Sequence, residues 1–325
     1  MDRENMKMIT KICYMYYFQD EVQTKIAKKF NITRQMVSRL IQKAREEGIV
    51  EIQIKSPVKG ISELESRLES QFDLTDAIVI QEDTIDDEQL KQKLGYAAGE
   101  YFLKSVMSNM TIGIGFGQSL EAMAEYVNHG AVSHTIQGVG LTQLIGGLYS
   151  NLSYENSQYI MSMIGKKMGA DLHFLNTPFL VEDPAHKEVF VNQMATQNVI
   201  KAYDALSMAF VEIKPADQVY KTSTTKESKF GKNYLNALGI SYLNNINAEG
   251  EVCLNYLNDR GQFIETPLSD KVIGIHHKQL GKVKNLVGIV GGENSHQIAM
   301  SAIKAGVFNT IITDDITAQY ILDNV

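Results

Sequence analysis

The sequence predicts an α/β protein in which an N-terminal helix-turn-helix precedes a larger, mostly parallel sheet covered on both faces. Three observations carry that expectation. Two short helical patterns meet at a tight break between Val22 and Val50. Strand-like and helix-like segments then alternate from residue 76 to the end. Charge is divided the same way: residues 1–60 hold 12 Lys/Arg against 7 Asp/Glu, the remainder 19 against 31, for net charges of +5 and −12. A basic arm on an acidic body concentrates attraction for phosphate at one end.

Residues 5–19 carry Met8, Ile9, Ile12 and Tyr16 at helical spacing, a first helix able to cover the two that follow. Tyr14, Tyr16 and Tyr17 read as core and rim groups rather than base-stacking ones. In VQTKIAKKF, Ile26, Ala27 and Phe30 share one face. Asn31-Ile32 interrupts the pattern, and Thr33 is placed to cap a new helix. There Val37, Leu40, Ile41 and Ala44 form a buried stripe, and Gly48 ends the run at an expected left-handed cap. The opposite face presents Arg34, Gln35, Ser38, Arg39 and Gln42, residue types that pair with base edges in a major groove. With Thr33 they are the candidate contacts to double-stranded operator DNA.

IVEIQIKS after Gly48 reads as a short strand or wing, and Pro57 with Gly60 as the hinge that closes a DNA-binding domain at residues 1–57. ISELESRLESQF is an amphipathic linker helix within 58–75, too brief for a coiled coil though long enough for a two-chain seam. From 76 to 325 the reading is AIVI strand, DDEQLKQKLGYAAGEYFLKSV helix, MTIGIG strand, SLEAMAEYV helix, TIQGVGLTQLIGG strand and loop, and YENSQYIMSMIGKKMG helix. DLHFLN strand follows, then KEVFVNQMATQNVIKAYDAL as one helix, SMAFVEI strand, KNYLNALG helix, EVCLNYLND as one strand and KVIGI extended. The chain finishes NLVGIVGG strand, NSHQIAMSAIKAG helix, NTIITD strand, DITAQYILDN helix. Such alternation makes a Rossmann-like parallel sheet.

Composition excludes several classes. With 44% hydrophobic and 21% charged residues the chain is globular, no apolar run approaches a membrane span, and MDRENMKMIT is unlike a signal peptide. Cys13 and Cys253 stand apart, outside any metal-like spacing, as reduced thiols. No membrane partner, no metal and no cofactor is expected, and the location expected is cytoplasmic.

In parallel sheets, ligands sit beyond the C-terminal strand ends against helix N-termini. Three glycine-bearing strand ends qualify: Gly115-Phe116-Gly117 with Gln118 and Ser119; Thr142 and Gln143 before Gly146-Gly147; and Gly291-Gly292 leading to Asn294, Ser295 and His296. Together they favour a phosphate-like or sugar-like ligand. None is a Walker A motif, and GIGFGQSL is not a dinucleotide fingerprint. Thr313, Asp314 and Asp315 lie at the last strand's edge, where Asp315 is equally readable as a helix N-cap. The seven histidines lack metal-ligand spacing, and His276-His277 would point to opposite faces of a strand.

Taken together these residues resemble the SorC-type (SorC/DeoR) bacterial transcriptional regulators, over nearly the whole chain. TKIAKKFNITRQMVSRLIQKAREEGIVEIQI is similar to the family's helix-turn-helix, and GIGFGQSLEAMAEYV to its Gly-Trp-Gly-Thr/Ser loop and helix, with Phe116 in place of tryptophan. LNTPFLVEDP, LNDRGQFIETPLSDKVIGI and GGENSHQIAMSAIKAGVFNTIITDDITAQYIL match its later segments. The resemblance implies an effector domain related in fold to sugar-phosphate isomerases. It also implies binding of a sugar or phosphorylated sugar without turnover, and a homo-oligomer, dimer or tetramer, on operators near carbohydrate-use genes. Two departures bear on the effector. Ser295, with His296 beside it, stands where the family commonly has a phosphate-holding lysine, leaving His296 or Lys304 to supply charge. Glu212 replaces the first glycine of a Gly-Ile-Gly strand end, which favours hydroxyl or amine groups over a close phosphate. The competing reading is a sugar-phosphate isomerase or deaminase with an appended DNA-binding arm.

Overall fold

The computed structural model describes residues 3–50, 60–83, 86–132, 136–147, 156–216 and 248–325. The chain forms two compact units, Met1–Pro57 and Val58–Val325.

In the first unit α1 (Arg3–Tyr17), α2 (Gln23–Phe30) and α3 (Arg34–Glu46) enclose one core. Ile9, Ile12, Cys13 and Met15 from α1 meet Ile26 and Ala27 from α2 and Val37, Leu40, Ile41 and Ala44 from α3. Met15, rather than Tyr16, continues the buried stripe of α1; Tyr14 is exposed and stacks on Phe18 at 5.1 Å. Asn31 turns the chain in the left-handed region (φ 55°), which lets the Ile32 N–H reach back to Ala27 O. Thr33 then caps α3, its Oγ1 accepting from Met36 N at 3.1 Å. At the far end Gly48 takes φ 68° and the Ile49 N–H bonds Ala44 O, so the helix stops where the sequence says it should. The expected wing lies outside the described residues.

The second unit opens with α4 (Ile61–Phe72). It continues through β1 (Asp76–Ile80), α5 (Asp87–Ser105), β2 (Thr111–Ile114), α6 (Gln118–His129), β3 (Gly140–Gln143), α7 (Ser157–Met168) and β4 (Asp171–His173). Next come α8 (Pro184–Val191), α9 (Met194–Ala202), β5 (Met208–Pro215), β6 (Gly250–Val252), β7 (Asn255–Leu257) and β8 (Phe263–Ile264). The chain ends with α10 (His277–Leu280), β9 (Leu286–Ile289), α11 (His296–Lys304), β10 (Thr310–Asp314) and α12 (Asp315–Asp323). Among the described residues seven parallel strands run in the order β1-β10-β9-β5-β2-β3-β4. The chain winds outward from β2 to β4, then returns to β5 beside β2, which makes β2/β5 the topological switch point.

Helices cover both faces. α5, α6 and α7 bury Leu94, Phe102, Leu120, Met123, Ile160 and Ile164 on one side. α4, α9, α11 and α12 bury Ile61, Leu68, Val199, Ile298, Ile303 and Ile321 on the other. α5 and α6 approach so closely because a Cβ at Gly95 would lie 2.3 Å from Ser119 O, and one at Gly99 2.8 Å from the Tyr126 side chain. The helix expected to link the domains is folded onto the sheet: Glu69 and Glu65 of α4 accept the Ala77 and Val79 amides of edge strand β1.

Two expected elements differ. The single helix over KEVFVNQMATQNVIKAYDAL is two, broken where Gln193 turns extended after Asn192; Asp183 caps the first with Pro184 behind it. EVCLNYLND is not one strand but the hairpin β6–β7. Cys253 and Leu254 both take positive φ (48° and 60°), the geometry of a two-residue turn, held by Glu251 Oε2 accepting from Leu254 N and by the Asn255 amide donating to Val252 O and Cys253 O. The expected helix at KNYLNALG lies outside the described residues.

Candidate functional site

On α3 the sequence-predicted residues emerge together. Val37, Leu40, Ile41 and Ala44 face the core, leaving Arg34, Gln35, Ser38, Arg39 and Gln42 exposed on one continuous surface. Among the described residues neither Arg34 nor Arg39 has an ion-pair partner, so both guanidinium forks are open to an acceptor. Gln42 donates to Glu46 at 3.0 Å, and Thr33 spends its hydroxyl on the cap.

At the switch point, β2 pairs with β5 so that Ile114 lies beside Phe210, and the same register carries Phe116 level with Glu212. Gly115 is needed for close packing: a Cβ there would sit 3.3 Å from Phe210 O and 3.4 Å from Cys253 Sγ. Gly117 takes φ 145° directly against Glu212, whose Oε2 would lie 1.4 Å from an added Cβ. Glu212, 8% exposed, accepts from the buried Ser119 Oγ at 3.2 Å through Oε1, while among the described residues Oε2 has no hydrogen-bond partner. Lys214 lies two residues on, its Nζ 3.8 Å from that Oε2 and 3.9 Å above the Phe116 ring. Directly across the β5–β6 pair from Lys214 is Glu251, 1% exposed. Burial pushes the Glu251 carboxyl above its usual range; Lys214 opposes that shift and Glu212 adds to it. Burial likewise raises the Cys253 thiol, with Glu251 adding to the effect, so this cysteine is a packed group and not a nucleophile.

Sequence reasoning identified Glu212 but not Lys214 or Glu251. Lys214 was findable as the i+2 neighbour on the same strand face. Glu251 was not, because its place depends on an antiparallel pairing across a long intervening segment.

The other glycine turns are more structural. Gly146 N bonds Ile273 O, and its Cβ would collide with Pro178 O at 2.5 Å; Gly147 exchanges bonds with Thr177 and Phe179. Gln143 is wholly buried, bonding Ile145 O, Leu175 N and Gln158, while among the described residues the Thr142 hydroxyl has no partner. Gly291-Gly292 wraps the Asp314 carboxylate, which takes the Gly292 amide at 2.9 Å and both the Thr317 amide and hydroxyl. Asp314 is thus the N-cap of α12, and the alternative Asp315 cap is corrected: Asp315 instead accepts from Glu82 N at 2.8 Å. Glu82 is raised, first by burial and then by the facing carboxylates of Asp314, Asp315 and Glu293.

Asn294 is exposed and Ser295 buried in a 3₁₀ turn. His296 stacks on Tyr320 at 5.1 Å and lines a groove of about 620 Å³ with Gly60, Glu63, Arg67 and Asp315, among α4 and α12. Lys304 is exposed at the opposite end of α11, about 12 Å along the axis, so the two cannot serve one ligand group interchangeably.

His276 and His277 do not diverge as a strand would make them. His276 caps the short α10 and His277 is its first residue, so both rings meet Glu265, at 3.4 and 3.8 Å. A cation could bridge three donors this close. However, His276 Nδ1 accepts the Lys278 amide at 3.3 Å, which leaves the neutral ring's proton on Nε2 toward Glu265 and opposes ligation there.

Residues 56–323 match the family described as "Putative sugar-binding domain". The chain is 24% identical to the sorbitol operon regulator of Klebsiella pneumoniae over 98% of both chains. It is 22% identical to the deoxyribonucleoside regulator of Bacillus subtilis over the full length of both. The full-length structure of the Klebsiella pneumoniae sorbitol operon regulator SorC superposes with a TM-score of 0.71 at 23% identity, covering 98% of this chain and 99% of that one, which supports the fold. Among the described residues no helix is long and apolar enough to cross a membrane.

Proposed function

The chain belongs to the sugar-binding family of SorC-type transcriptional regulators, and from that premise we propose that α3 reads operator DNA while the β2/β5 switch point receives the effector. The protein is an effector-controlled regulator of carbohydrate metabolism. The observation that carries the DNA assignment is the exposed face of α3, on which Arg34, Gln35, Ser38 and Arg39 stand clear of the core with both arginines unpaired among the described residues. Arginine forks suit guanine O6/N7, glutamine suits adenine N6/N7, and serine accepts either. One such module buries little surface, so the reading includes two or more copies on paired half-sites.

Turnover is not part of the proposal. The groups nearest the switch point are Ser119, Glu212, Lys214, Glu251 and Cys253. Burial raises the Cys253 thiol, and Ser119 donates to a carboxylate; among the described residues no histidine lies beside it and no activated nucleophile is assembled there. A site that binds without reacting controls the operator only by favouring one of two arrangements of the protein. The reading places this protein in the cytoplasm, beside its DNA.

The deciding experiment measures binding of the full chain to DNA from its own upstream region by fluorescence anisotropy, with and without a panel of sugars and polyols. Saturable, salt-sensitive binding that one sugar shifts supports the proposal. Absence of sequence-dependent binding at moderate salt overturns the DNA assignment, and turnover of any panel member overturns the effector assignment.

A further inference from the structure

A helix N-terminus facing the C-terminal edge of a parallel sheet is a seat for anions, because its first amides have no partners and the helix dipole is positive there. In this protein a carboxylate packs against the start of α6. Glu212 enters from β5, and its Oε1 accepts from Ser119 Oγ at 3.2 Å. Its Oε2 presses against Gly117, where even a methyl group would not fit. The residue is more than nine-tenths buried, yet among the described residues Oε2 has no hydrogen-bond donor.

We infer that Glu212 is a built-in anion that excludes phosphate from the α6 N-terminus, so that the effector presents uncharged sugar hydroxyls to this end of the cleft. The inference rests on the effector assignment above and deepens it by naming the ligand class. Three groups set the balance. Lys214 lies 3.8 Å from Glu212 Oε2, and Glu251 faces Lys214 across the β5–β6 pair. Glu212 offsets the Lys214 charge at that distance, and Glu251 adds no positive charge. The cluster therefore offers a phosphate ester no net attraction, and any phosphate group near α6 would meet a carboxylate at close range. A sugar hydroxyl, by contrast, is uncharged and meets no such repulsion.

The exclusion has a direct test. Replacing the carboxylate removes the negative charge beside the helix N-terminus and leaves Lys214 with Glu251 alone as its carboxylate neighbour, so Glu212→Ser should gain an anion site. The probe is inorganic phosphate, titrated against chloride at matched ionic strength, with the melting temperature of the full chain as the readout. The wild type should show no phosphate-specific shift. Glu212→Ser should show a saturable rise of roughly 3 °C once phosphate exceeds its dissociation constant about ten-fold. Glu212→Ala, which likewise removes the carboxylate and opens the same space, supplies the same test should the serine variant fold poorly. A phosphate-specific shift in the wild type, or none in either folded variant, overturns the inference. A parallel titration of wild type with neutral sugars and their phosphate esters separates the two levels. Stabilisation by a neutral sugar supports the ligand class, and stabilisation by phosphate esters alone overturns it. If no sugar shifts the protein while the phosphate results hold, the effector assignment fails and the anion seat stands.

Discussion

Glu65 of α4 accepts the Val79 amide of β1 at 3.0 Å, and one helical turn later Glu69 accepts the Ala77 amide at 3.2 Å. The two glutamates thus satisfy alternate outward N–H groups along the free side of an edge strand, the side that would otherwise invite another strand. Within the second unit α4 is held to the sheet by its carboxylates as well as by Ile61 and Leu68. Glu65→Ala should therefore lower the stability of residues 58–325 by about 1–2 kcal/mol, the cost of leaving a half-buried amide unpaired. Urea unfolding followed by far-ultraviolet circular dichroism checks it, and an unchanged midpoint would remove the edge-capping account.

Glu82 gives a pH dependence whose sign follows from its surroundings. Burial and the carboxylates of Asp314, Asp315 and Glu293 raise its pKa above the ordinary value of 4.5. The folded protein therefore binds that proton more tightly than the unfolded chain does. The resulting stability is fully present below 4.5 and is lost as pH rises through the folded value. Glu82→Gln, neutral at every pH, should flatten this slope and raise the melting temperature relative to wild type at pH 7. The comparison is a series of melting curves from pH 4.5 to about 8, within the range where maximal stability usually falls. Parallel curves for the two proteins would show that the repulsion is screened by solvent.

Gly117 and Glu212 form a coupled pair. An alanine Cβ at 117 would overlap Glu212 Oε2, and φ 145° is strained for any side chain. Gly117→Ala should destabilise the protein by at least about 2 kcal/mol. In a Glu212→Ser background the carboxylate overlap is gone, leaving the backbone strain and a 3.1 Å contact with the Cβ of residue 212. A double-mutant cycle should then give a coupling of roughly 1–3 kcal/mol between the two sites. Additive costs would place the whole penalty in the backbone.

What the sequence made legible depends on how far apart the determining residues lie. Thr33, Asn31 and Gly48 act on amides within five positions of themselves, so the ends of α2 and α3 were readable from local pattern alone. The parallel alternation was readable for the same reason, since each strand and helix carries its own periodicity. The hairpin at Cys253-Leu254 was not, because two residues without turn preference take positive φ there, held by Glu251 and Asn255. Nor was the meeting of Lys214 with Glu251, which only the β5–β6 register creates. His276 and His277 converge because a cap position and the first helical residue break the alternation of a strand. Each miss is a non-local pairing or a backbone conformation imposed by tertiary contacts.

The helix α3, proposed above to read DNA, separates stability from recognition in a way two substitutions can resolve. Thr33 Oγ1 caps α3 through Met36 N at 3.1 Å, while Arg39 is exposed without an ion-pair partner among the described residues. Thr33→Ala should cost about 1 kcal/mol of stability in the N-terminal unit, through the lost cap. Arg39→Ala should leave stability within about 0.5 kcal/mol, as surface substitutions do. Its effect should fall on operator binding instead: a loss of about 1–3 kcal/mol with relaxed preference at one base pair if the fork contacts guanine. Were it to contact phosphate, the loss would be uniform across sequences and the slope of log affinity against log salt would shrink by about 1. Anisotropy titrations of both variants against operator and scrambled duplexes at several salt concentrations distinguish these outcomes. An Arg39→Ala protein that binds operator as tightly as wild type would remove this residue from the interface.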